Sequence, residues 1–336
     1  MQYTGKWDRQ GLDYRALHDC WHVVARGTDV PAGAPFAVRL LGRDLVLWRG
    51  AGGIHAWDDY CGHRGARLSL GCVREGQIEC PYHGWRYAET GECISVPALP
   101  AQQPPQHGLV RTHRAVERYG LVWVCLGQPR DDVPAFHCWD DVNYRKVFAG
   151  PYRYRANALR SVENFLDPAH FPFVHAGVNG HREQPDPIGD YDVHHHANGI
   201  STSEIAVNQP YGDHRGIAVF ARYTYHVPAP TTAYFIKKTG ESERFCTFLC
   251  VTPVDEDEAI LHTLVAINFG ADLTDAQILA RQDLVYEQDR RIVESQRPYR
   301  LPLDLHEEMH VRCDRLSVEY RRWIRQLGEN VKVASC

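Results

Sequence analysis

The sequence predicts an α+β protein in two parts, each built on an antiparallel sheet. Residues 18–125 consist of short runs of apolar and β-branched residues separated by glycine and proline, a pattern typical of a small antiparallel β domain. In the second half, Asn198-Gly199 separates the segments 190–197 and 200–208, which predicts a hairpin with a type I′ turn. Four further strands are expected after this hairpin, at 217–226, 232–238, 244–253 and 259–269.

Two helices complete the second part, one before these strands and one after them. The first is expected at 156–166. The second is expected to begin after Thr274, because Thr274 and Gln277 have the spacing of an N-terminal capping box. Helical spacing places six residues of the second helix on one face: Ile278, Gln282, Val285, Asp289, Ile292 and Gln296.

Length and charge restrict the classes of function. The chain has 336 residues and a formal net charge of −5, which argues against a nucleic-acid-binding protein. No apolar run reaches the roughly 18–20 residues of a membrane span, and the first ten residues do not have the pattern of an export signal, so we expect a cytoplasmic protein. We expect an N-terminal segment at 1–17, a first domain at 18–126, a linker at 127–144 and a second domain at 145–336.

The 11 cysteines and 19 histidines point to metal chemistry, because a disulfide framework is not expected in a chain without an export signal. Cys61 and His63 are followed, after sixteen intervening residues, by Cys80 and His83. Such a set can bind structural zinc. Here, however, each loop contributes one cysteine and one histidine. This mixed arrangement suits a [2Fe–2S] cluster with cysteines on one iron and histidines on the other.

A second group of metal-binding side chains lies in the segment that contains Asp167, His170 and His175. Two histidines and one carboxylate form a facial triad, which leaves positions open on Fe(II) for O₂ and substrate. The alternative is a helix end with surface histidines. Three phenylalanines are interleaved with this group and favour burial instead: Phe165, Phe171 and Phe173.

The residues around both groups resemble those of the Rieske non-haem iron oxygenases. The resemblance is carried by His63-Arg-Gly65, by Tyr82-His-Gly-Trp85 and by the segment 287–296. It implies a Rieske domain with a [2Fe–2S] cluster, followed by a helix-grip-like catalytic domain on an antiparallel sheet that binds mononuclear Fe(II).

In that family the carboxylate ligand comes from a late helix, so the resemblance places Asp289 with His170 and His175 on the iron. An unpaired carboxylate on the apolar face of a helix would be costly, and a bound iron would compensate it. The alternative for Asp289 is a salt bridge to a neighbouring arginine, Arg290 or Arg291.

Two more residues match family positions. Asp167 resembles an acid that bridges the iron and the cluster of a neighbouring subunit, and Asn164 matches a position close to the iron. The resemblance further implies a head-to-tail homotrimer and O₂ as co-substrate. Electrons would come from NAD(P)H through a separate reductase, with or without a ferredoxin between them.

Within the family, the sequence resembles the α-only monooxygenases and demethylases, and above all the saxitoxin-pathway hydroxylases. This likeness rests on the segments 119–127, 139–141, 170–175 and 300–303. We therefore expect hydroxylation of a C–H bond in a small organic substrate such as a guanidinium alkaloid. One alternative is O- or N-demethylation or methyl hydroxylation of an aromatic acid or sulfonate, and cis-dihydroxylation of an arene also stays open. The alternative from another class is a Rieske electron-transfer protein without oxygenase activity.

Overall fold

The computed structural model describes residues 15–105, 109–211 and 215–334, which form two compact units. One unit runs from His18 to Val133, and the other contains residues 15–17 and 134–334. Each is built on antiparallel sheets, which confirms the predicted α+β class. Within these described ranges, no helix has both the length and the apolar character needed to cross a membrane.

The described residues of the smaller unit form ten strands in two sheets, preceded by the short helix α1 (Arg15–His18). The strands are β1 (His22–Arg26), β2 (Phe36–Leu40), β3 (Arg43–Gly50), β4 (Gly53–Asp58), β5 (Cys72–Arg74), β6 (Gln77–Glu79), β7 (Arg86–Tyr87), β8 (Cys93–Ser95), β9 (Thr112–Arg118) and β10 (Leu121–Cys125). One sheet has the order β1-β10-β9-β4-β3-β2 and the other the order β5-β6-β7-β8. Single 3₁₀ turns lie at Gly27–Asp29 and Leu68–Leu70.

Large aromatic side chains connect the two sheets of this unit. Trp48 of β3 packs edge to face on Trp57 of β4 at 4.9 Å between ring centroids, and Trp57 meets Tyr87 of β7 at 6.5 Å. All three side chains are buried in one cluster that also contains Cys61 and Cys80. The two cysteines therefore rest on a closely packed aromatic base.

Among its described residues from 134 onward, the larger unit has one antiparallel sheet, with strands of different lengths, and five helices. The strands are β11 (Arg145–Tyr154), β12 (Val193–His196), β13 (Gly199–Thr202), β14 (Ile205–Gln209), β15 (Val219–Ala229), β16 (Thr232–Lys238), β17 (Arg244–Asp255) and β18 (Glu258–Ile267). Their order is β11-β18-β17-β16-β15-β13-β12, and β14 also pairs with β15. The helices are α2 (His137–Asp140), α3 (Ala158–Leu166), α4 (Phe171–Val174), α5 (Asp275–Val293) and α6 (Arg315–Ala334), with a 3₁₀ turn at Arg312–Asp314.

Helices α3 and α5 cover the sheet at the place where the site lies. Helix α3 contacts β16, β17 and β18, helix α5 contacts β11, and the two helices also contact each other. Because the long strands below them are almost continuously buried, these helices have an extended apolar surface to pack on.

A buried ion-pair network fixes α3 from the other side. Arg321 of α6 donates to both carboxylate oxygens of Glu163, at 2.5 and 2.7 Å, and to Glu308 at 2.5 Å. Arg160 also donates to Glu308, at 2.6 Å. Because both arginines are only 2% exposed, the network is rigid and holds the helix that carries Asn164.

The hairpin predicted around Asn198-Gly199 is present, but its turn lies one residue earlier than expected. His196 pairs with Gly199, so Ala197 and Asn198 are the loop residues. Gly199 has φ +133°, which is not the left-handed conformation of a type I′ turn. A Cβ atom on Gly199 would lie 2.1 Å from the carbonyl oxygen of Val227. Glycine is thus required by the close approach of β15, and the predicted strand 200–208 is split into β13 and β14.

The long helix is confirmed as α5, and Thr274 and Gln277 form the predicted capping box. Its buried face differs from the predicted face near the C-terminal end. Val293 is buried there, whereas Ile292 is 45% exposed. The buried stripe rotates because it follows steps of four, four, three and four residues: Ile278, Gln282, Tyr286, Asp289 and Val293. Asp289 belongs to both the predicted face and the observed buried face of α5.

Candidate metal centres

The two loops of the smaller unit that carry the cysteines have the same backbone geometry. The amide of Cys61 donates to the carbonyl of Ala66 at 2.7 Å, and the amide of Cys80 donates to the carbonyl of Trp85 at 2.8 Å. In each loop, the glycine four residues after the cysteine is in the left-handed conformation. These glycines are Gly65 (φ +69°) and Gly84 (φ +68°). The local sequence therefore builds two matching turns that present their side chains toward each other.

The four predicted cluster ligands come together in these loops. Cys61 and Cys80 are each 2% exposed, whereas His83 is exposed and His63 is partly so. The rings of His63 and His83 lie 4.6 Å apart between centroids. The hydroxyl of Tyr87 lies 2.9 Å from Cys61 Sγ. Buried sulfurs below exposed imidazoles fit a [2Fe–2S] cluster whose histidine iron faces solvent.

One ligand atom supports this fit. Nδ1 of His63 is buried and has no hydrogen-bond partner among the described residues. A buried ring nitrogen without a partner is costly, and coordination to iron would satisfy it.

In the larger unit, His170, His175 and Asp289 converge on one point. The short helix α4 begins after His170 and ends before His175, and the two flanking rings approach each other to 4.9 Å between centroids. Helix α5 brings Asp289 to them. The two Nε2 atoms are 3.1 Å apart, and Asp289 Oδ1 lies 3.2 Å from Nε2 of His175 and 3.5 Å from Nε2 of His170.

The outer ring nitrogens of these histidines are held by other residues. Nδ1 of His170 lies 3.4 Å from Asp167 Oδ2, and Nδ1 of His175 lies 2.9 Å from the side-chain oxygen of Gln288. With Nδ1–H as the donor in both rings, each Nε2 presents a lone pair to the centre of the group. Asp289 Oδ1 is buried there without a hydrogen-bond donor among the described residues. Three electron-rich atoms so close together fit a divalent cation, and two histidines with one carboxylate fit Fe(II).

The electrostatics of the group also favour a cation. Burial alone would lower the pKa of His170, but its hydrogen bond to Asp167 and the charge of Asp289 outweigh burial and raise the pKa. For Asp167, burial is the largest cause and opposes ionisation, but the hydrogen bond and charge of His170 and the hydrogen bond from the Ala169 amide together outweigh it and lower the pKa. The group thus attracts positive charge.

The two candidate carboxylates, Asp167 and Asp289, lie on different sides of the His170 ring. Asp289 faces the Nε2 atoms, whereas Asp167 lies on the Nδ1 side of His170. Asp167 Oδ1 also accepts a hydrogen bond from the amide of Ala169 at 2.7 Å, and its side chain is 36% exposed. Asn164, in the last turn of α3, lines the cavity beside the group.

The surroundings of the group correct two sequence-based expectations. A salt bridge from Asp289 to a neighbouring arginine is wrong, because Arg290 and Arg291 both pair with Glu287. The expected burial of the phenylalanines holds for Phe171 but is wrong for Phe173, which is 50% exposed.

Gln288 is a site residue that sequence reasoning missed. It lies within the segment that carries the family resemblance, directly before Asp289. Nothing in its spacing signals a role, because its contact with His175 depends on how closely α4 approaches α5.

The metal group opens into a cavity whose empty volume is about 750 Å³ when the space open to solvent at its mouth is included. Aromatic side chains form much of its lining, among them Phe165, Phe171, Tyr223, Phe235 and Phe245. The aromatic walls are typical of a site for a small organic molecule. An electron carrier has no need of such a cavity.

Comparisons with known proteins agree with this geometry. Residues 20–114 match the Rieske [2Fe-2S] domain, and residues 154–330 match the vanillate O-demethylase oxygenase C-terminal domain. The methylxanthine N1-demethylase NdmA of Pseudomonas putida is 32% identical over 332 residues, which cover 95% of this chain and 91% of the relative. The methylxanthine N3-demethylase NdmB of the same species is 30% identical over 331 residues, 94% of this chain and 91% of the relative.

Comparison with solved structures finds the same relatives. The structure of Pseudomonas putida NdmA with caffeine has a TM-score of 0.86 at 30% identity, and the match covers 95% of this chain and 93% of that chain. The two domains and their sites define an oxidoreductase that is the terminal component of an oxygenase system. The chain belongs to the Rieske non-haem iron oxygenases. Its cofactors are a [2Fe–2S] cluster and a mononuclear iron, which excludes structural zinc at the first site.

Proposed function

We propose that this oxygenase is a demethylase, which removes a methyl group from a nitrogen or oxygen atom of a small aromatic substrate. The observation that carries the proposal is the 32% identity to a methylxanthine N1-demethylase over nearly the whole chain. The aromatic cavity beside the predicted iron ligands agrees with a planar substrate. Demethylation therefore has better support than the hydroxylation of a guanidinium alkaloid, which the sequence alone favoured.

We assign the mononuclear iron to His170, His175 and Asp289. The support is the convergence of two Nε2 atoms and one buried carboxylate oxygen within 4.8 Å of one another. In the smaller unit, we assign the cluster to the four residues of the two matching loops: Cys61, His63, Cys80 and His83.

The bound iron, once reduced, supplies the activation of O₂ that allows one oxygen atom to enter a C–H bond of the methyl group. The hydroxymethyl product then loses formaldehyde as its bond to nitrogen or oxygen breaks and a proton returns to that atom. The balance for R–X–CH₃, where X is nitrogen or oxygen, is R–X–CH₃ + O₂ + 2 e⁻ + 2 H⁺ → R–XH + CH₂O + H₂O.

The protein positions these reactants with its own side chains. Asp167 holds His170, and Gln288 holds His175, so that the ring nitrogens keep a fixed direction. Asn164 offers an amide to a ligand inside the cavity. The partly exposed carboxylate of Asp167 suits a bridging acid between subunits, and we retain that role, the homotrimer and a cytoplasmic location as predictions. Electrons are proposed to come from NAD(P)H through a separate reductase, directly or through a ferredoxin.

The test is formaldehyde release by the iron-loaded protein with a reductase, NADH and O₂. The panel contains caffeine, 4-methoxybenzoate and 4-methoxybenzamide. We expect one formaldehyde per demethylated product and none without O₂. An oxygen-dependent product that keeps its methyl carbon would overturn the demethylase assignment in favour of hydroxylation, and a diol would indicate dihydroxylation.

A variant separates oxygenase from electron-carrier activity. Asp289→Ala should lose the mononuclear iron and all formaldehyde release while the Rieske absorption spectrum stays unchanged. The matched control is Asp283→Asn, an exposed carboxylate on the same helix. If Asp289→Ala keeps its mononuclear iron and its turnover, the assignment of the iron ligands is wrong.

A further inference from the structure

Side chains from three adjacent strands form one wall of the cavity. Tyr223 of β15 pairs with Lys237 of β16, which in turn pairs with Phe245 of β17. In the next row, Phe235 pairs with Thr247. Cross-strand partners project from the same face of a sheet, so these side chains form a continuous patch on the cavity side.

The patch contains a buried cation. Lys237 is only 5% exposed, and its Nζ lies 5.7 Å from the centroid of the Tyr223 ring. The next residue, Lys238, points to the opposite face, where it and Arg222 form ion pairs with Glu204. Of these cations, Lys237 is therefore the one that faces inward. An ammonium group within an aromatic wall gains from the ring, and it can in addition donate a hydrogen bond to an anion that enters the cavity.

The patch also contains a hydroxyl group without a partner. Thr247 is 2% exposed and lines the cavity, and its Oγ1 has no hydrogen-bond partner among the described residues. A buried hydroxyl that makes no hydrogen bond is costly, which indicates that a ligand supplies the partner. Thr247 and Lys237 are diagonal neighbours across two strands, a relation that places Cβ atoms within roughly 7–8 Å. One small oxyanion can contact both.

The formal charges of the described lining residues favour an anion. Lys237 and Arg281 are positive, and Asp289 is negative. Arg281 is held at the cavity by the carbonyl of Val178 at 2.6 Å and by the side-chain oxygen of Asn179 at 2.9 Å. When iron neutralises Asp289, the described lining carries net positive charge. Such a lining would repel a guanidinium group and attract a carboxylate.

We infer that Lys237 and Thr247 form an oxyanion-binding subsite, so that the substrate is a methylated aromatic compound with a carboxylate or a similar acidic oxygen. The inference rests on the proposed function for the methyl group, whereas the anion recognition stands on the sheet geometry, on the buried Thr247 hydroxyl and on the charge of the cavity lining. Lys237 supplies the charge and Thr247 donates a hydrogen bond, while the aromatic residues of the wall contact the ring of the substrate.

The test compares two nearly isosteric ligands, 4-methoxybenzoate and its neutral amide 4-methoxybenzamide. Binding to the reduced, iron-loaded protein is measured by the change that each ligand causes in the electron paramagnetic resonance signal of the nitric oxide complex. We expect the benzoate to bind at least tenfold more tightly than the amide. Lys237→Met should weaken benzoate binding about 10- to 100-fold and amide binding less than threefold, because a hydrogen bond to a charged group is lost only for the anion. Lys237→Arg should restore most of the difference.

Two further variants complete the experiment. Thr247→Val keeps the shape of the side chain and should weaken benzoate binding several-fold. Lys238→Met is the matched control and should leave the binding of both ligands unchanged.

Three outcomes would overturn the inference: equal losses of affinity for both ligands in Lys237→Met, a preference for the amide, or no saturable benzoate binding. Formaldehyde from caffeine but not from benzoate would overturn it while leaving the demethylase proposal intact. If benzoate binding depends on Lys237 but no ligand yields formaldehyde, the oxyanion subsite is supported and the demethylase proposal is overturned.

Discussion

His175 and Gln288 are joined by a hydrogen bond of 2.9 Å between the ring Nδ1 and the side-chain oxygen. The residue after Gln288 is Asp289, whose carboxylate lies 3.2 Å from the other nitrogen of the same ring. Two consecutive positions of α5 therefore contact both edges of one imidazole. One position fixes the direction of the ring and the other shares the predicted metal with it.

Gln288→Leu should weaken iron binding at the mononuclear site about 10- to 100-fold, because the His175 ring loses the acceptor that holds Nδ1–H outward. Gln288→Glu keeps an acceptor at the same place and should retain iron. The measurement is the Fe(II) dissociation constant by competition with a chelator, with the Rieske spectrum as a check on folding. Arg291→Gln, an exposed change on the same helix, is the control. Equal iron affinity in the Leu variant and the native protein would show that Gln288 does not position His175.

The cluster also has a neighbour whose role can be tested. Burial and the adjacent Cys61 raise the pKa of Tyr87, so its hydroxyl stays protonated and can donate to the sulfur 2.9 Å away. A donor to a cluster sulfur stabilises the reduced state, which carries more negative charge. Tyr87→Phe should therefore make the reduction potential more negative. A differential of about 1 kcal/mol corresponds to roughly 40 mV for one electron.

Potentiometric titration monitored by electron paramagnetic resonance measures this shift. Tyr60→Phe removes an exposed hydroxyl from the same unit and should leave the potential unchanged. A positive shift in Tyr87→Phe would contradict the argument, as would a potential equal to that of the control.

The site was predictable where local spacing determines it. His170 and His175 flank a single short helix. For the carboxylate, local spacing pointed to Asp167, and the family resemblance was needed to place Asp289, which lies on a buried stripe of α5, with the two histidines. The direction of Lys237 was not predictable, because strand alternation separates it from Lys238 without indicating which face is buried. Gln288 was missed for a related reason, since its partner comes from another helix.

Gly199 shows a different limit. Asn-Gly is a strong signal for a type I′ turn, and the hairpin does form at this point. The glycine, however, meets the demand of a long-range contact, the carbonyl of Val227, rather than that of the turn. Local sequence cannot distinguish a glycine that is required by a turn conformation from one that is required by a close contact with another strand, because glycine, which has no Cβ atom, suits both.

The contact between Cys138 and Cys246, which lie outside both metal centres, gives the last prediction. Cys246 and Cys250 are buried core thiols of β17, and Sγ of Cys246 lies 2.9 Å from Sγ of the partly buried Cys138. The hydrogen bond with Cys246 lowers the pKa of Cys138 despite burial. Burial raises the pKa of Cys250. Cys138 should thus be alkylated by iodoacetamide at pH 7.5 much faster than Cys250, because the thiolate is the reactive form.

The pH profile tests the cause. A lowered pKa means that the thiolate forms at lower pH, so Cys246→Ala should move the midpoint of Cys138 alkylation upward, because burial then raises the pKa without the opposing hydrogen bond. At pH 7.5 the rate should fall several-fold, and the two rates should converge only well above the midpoint of the variant, where Cys138 is ionised in both proteins. Mass spectrometry of the alkylated peptides gives both rates. Cys250→Ala, on the same face of the strand, should leave the profile unchanged, and an unchanged midpoint in Cys246→Ala would mean that Cys246 does not set the reactivity of Cys138.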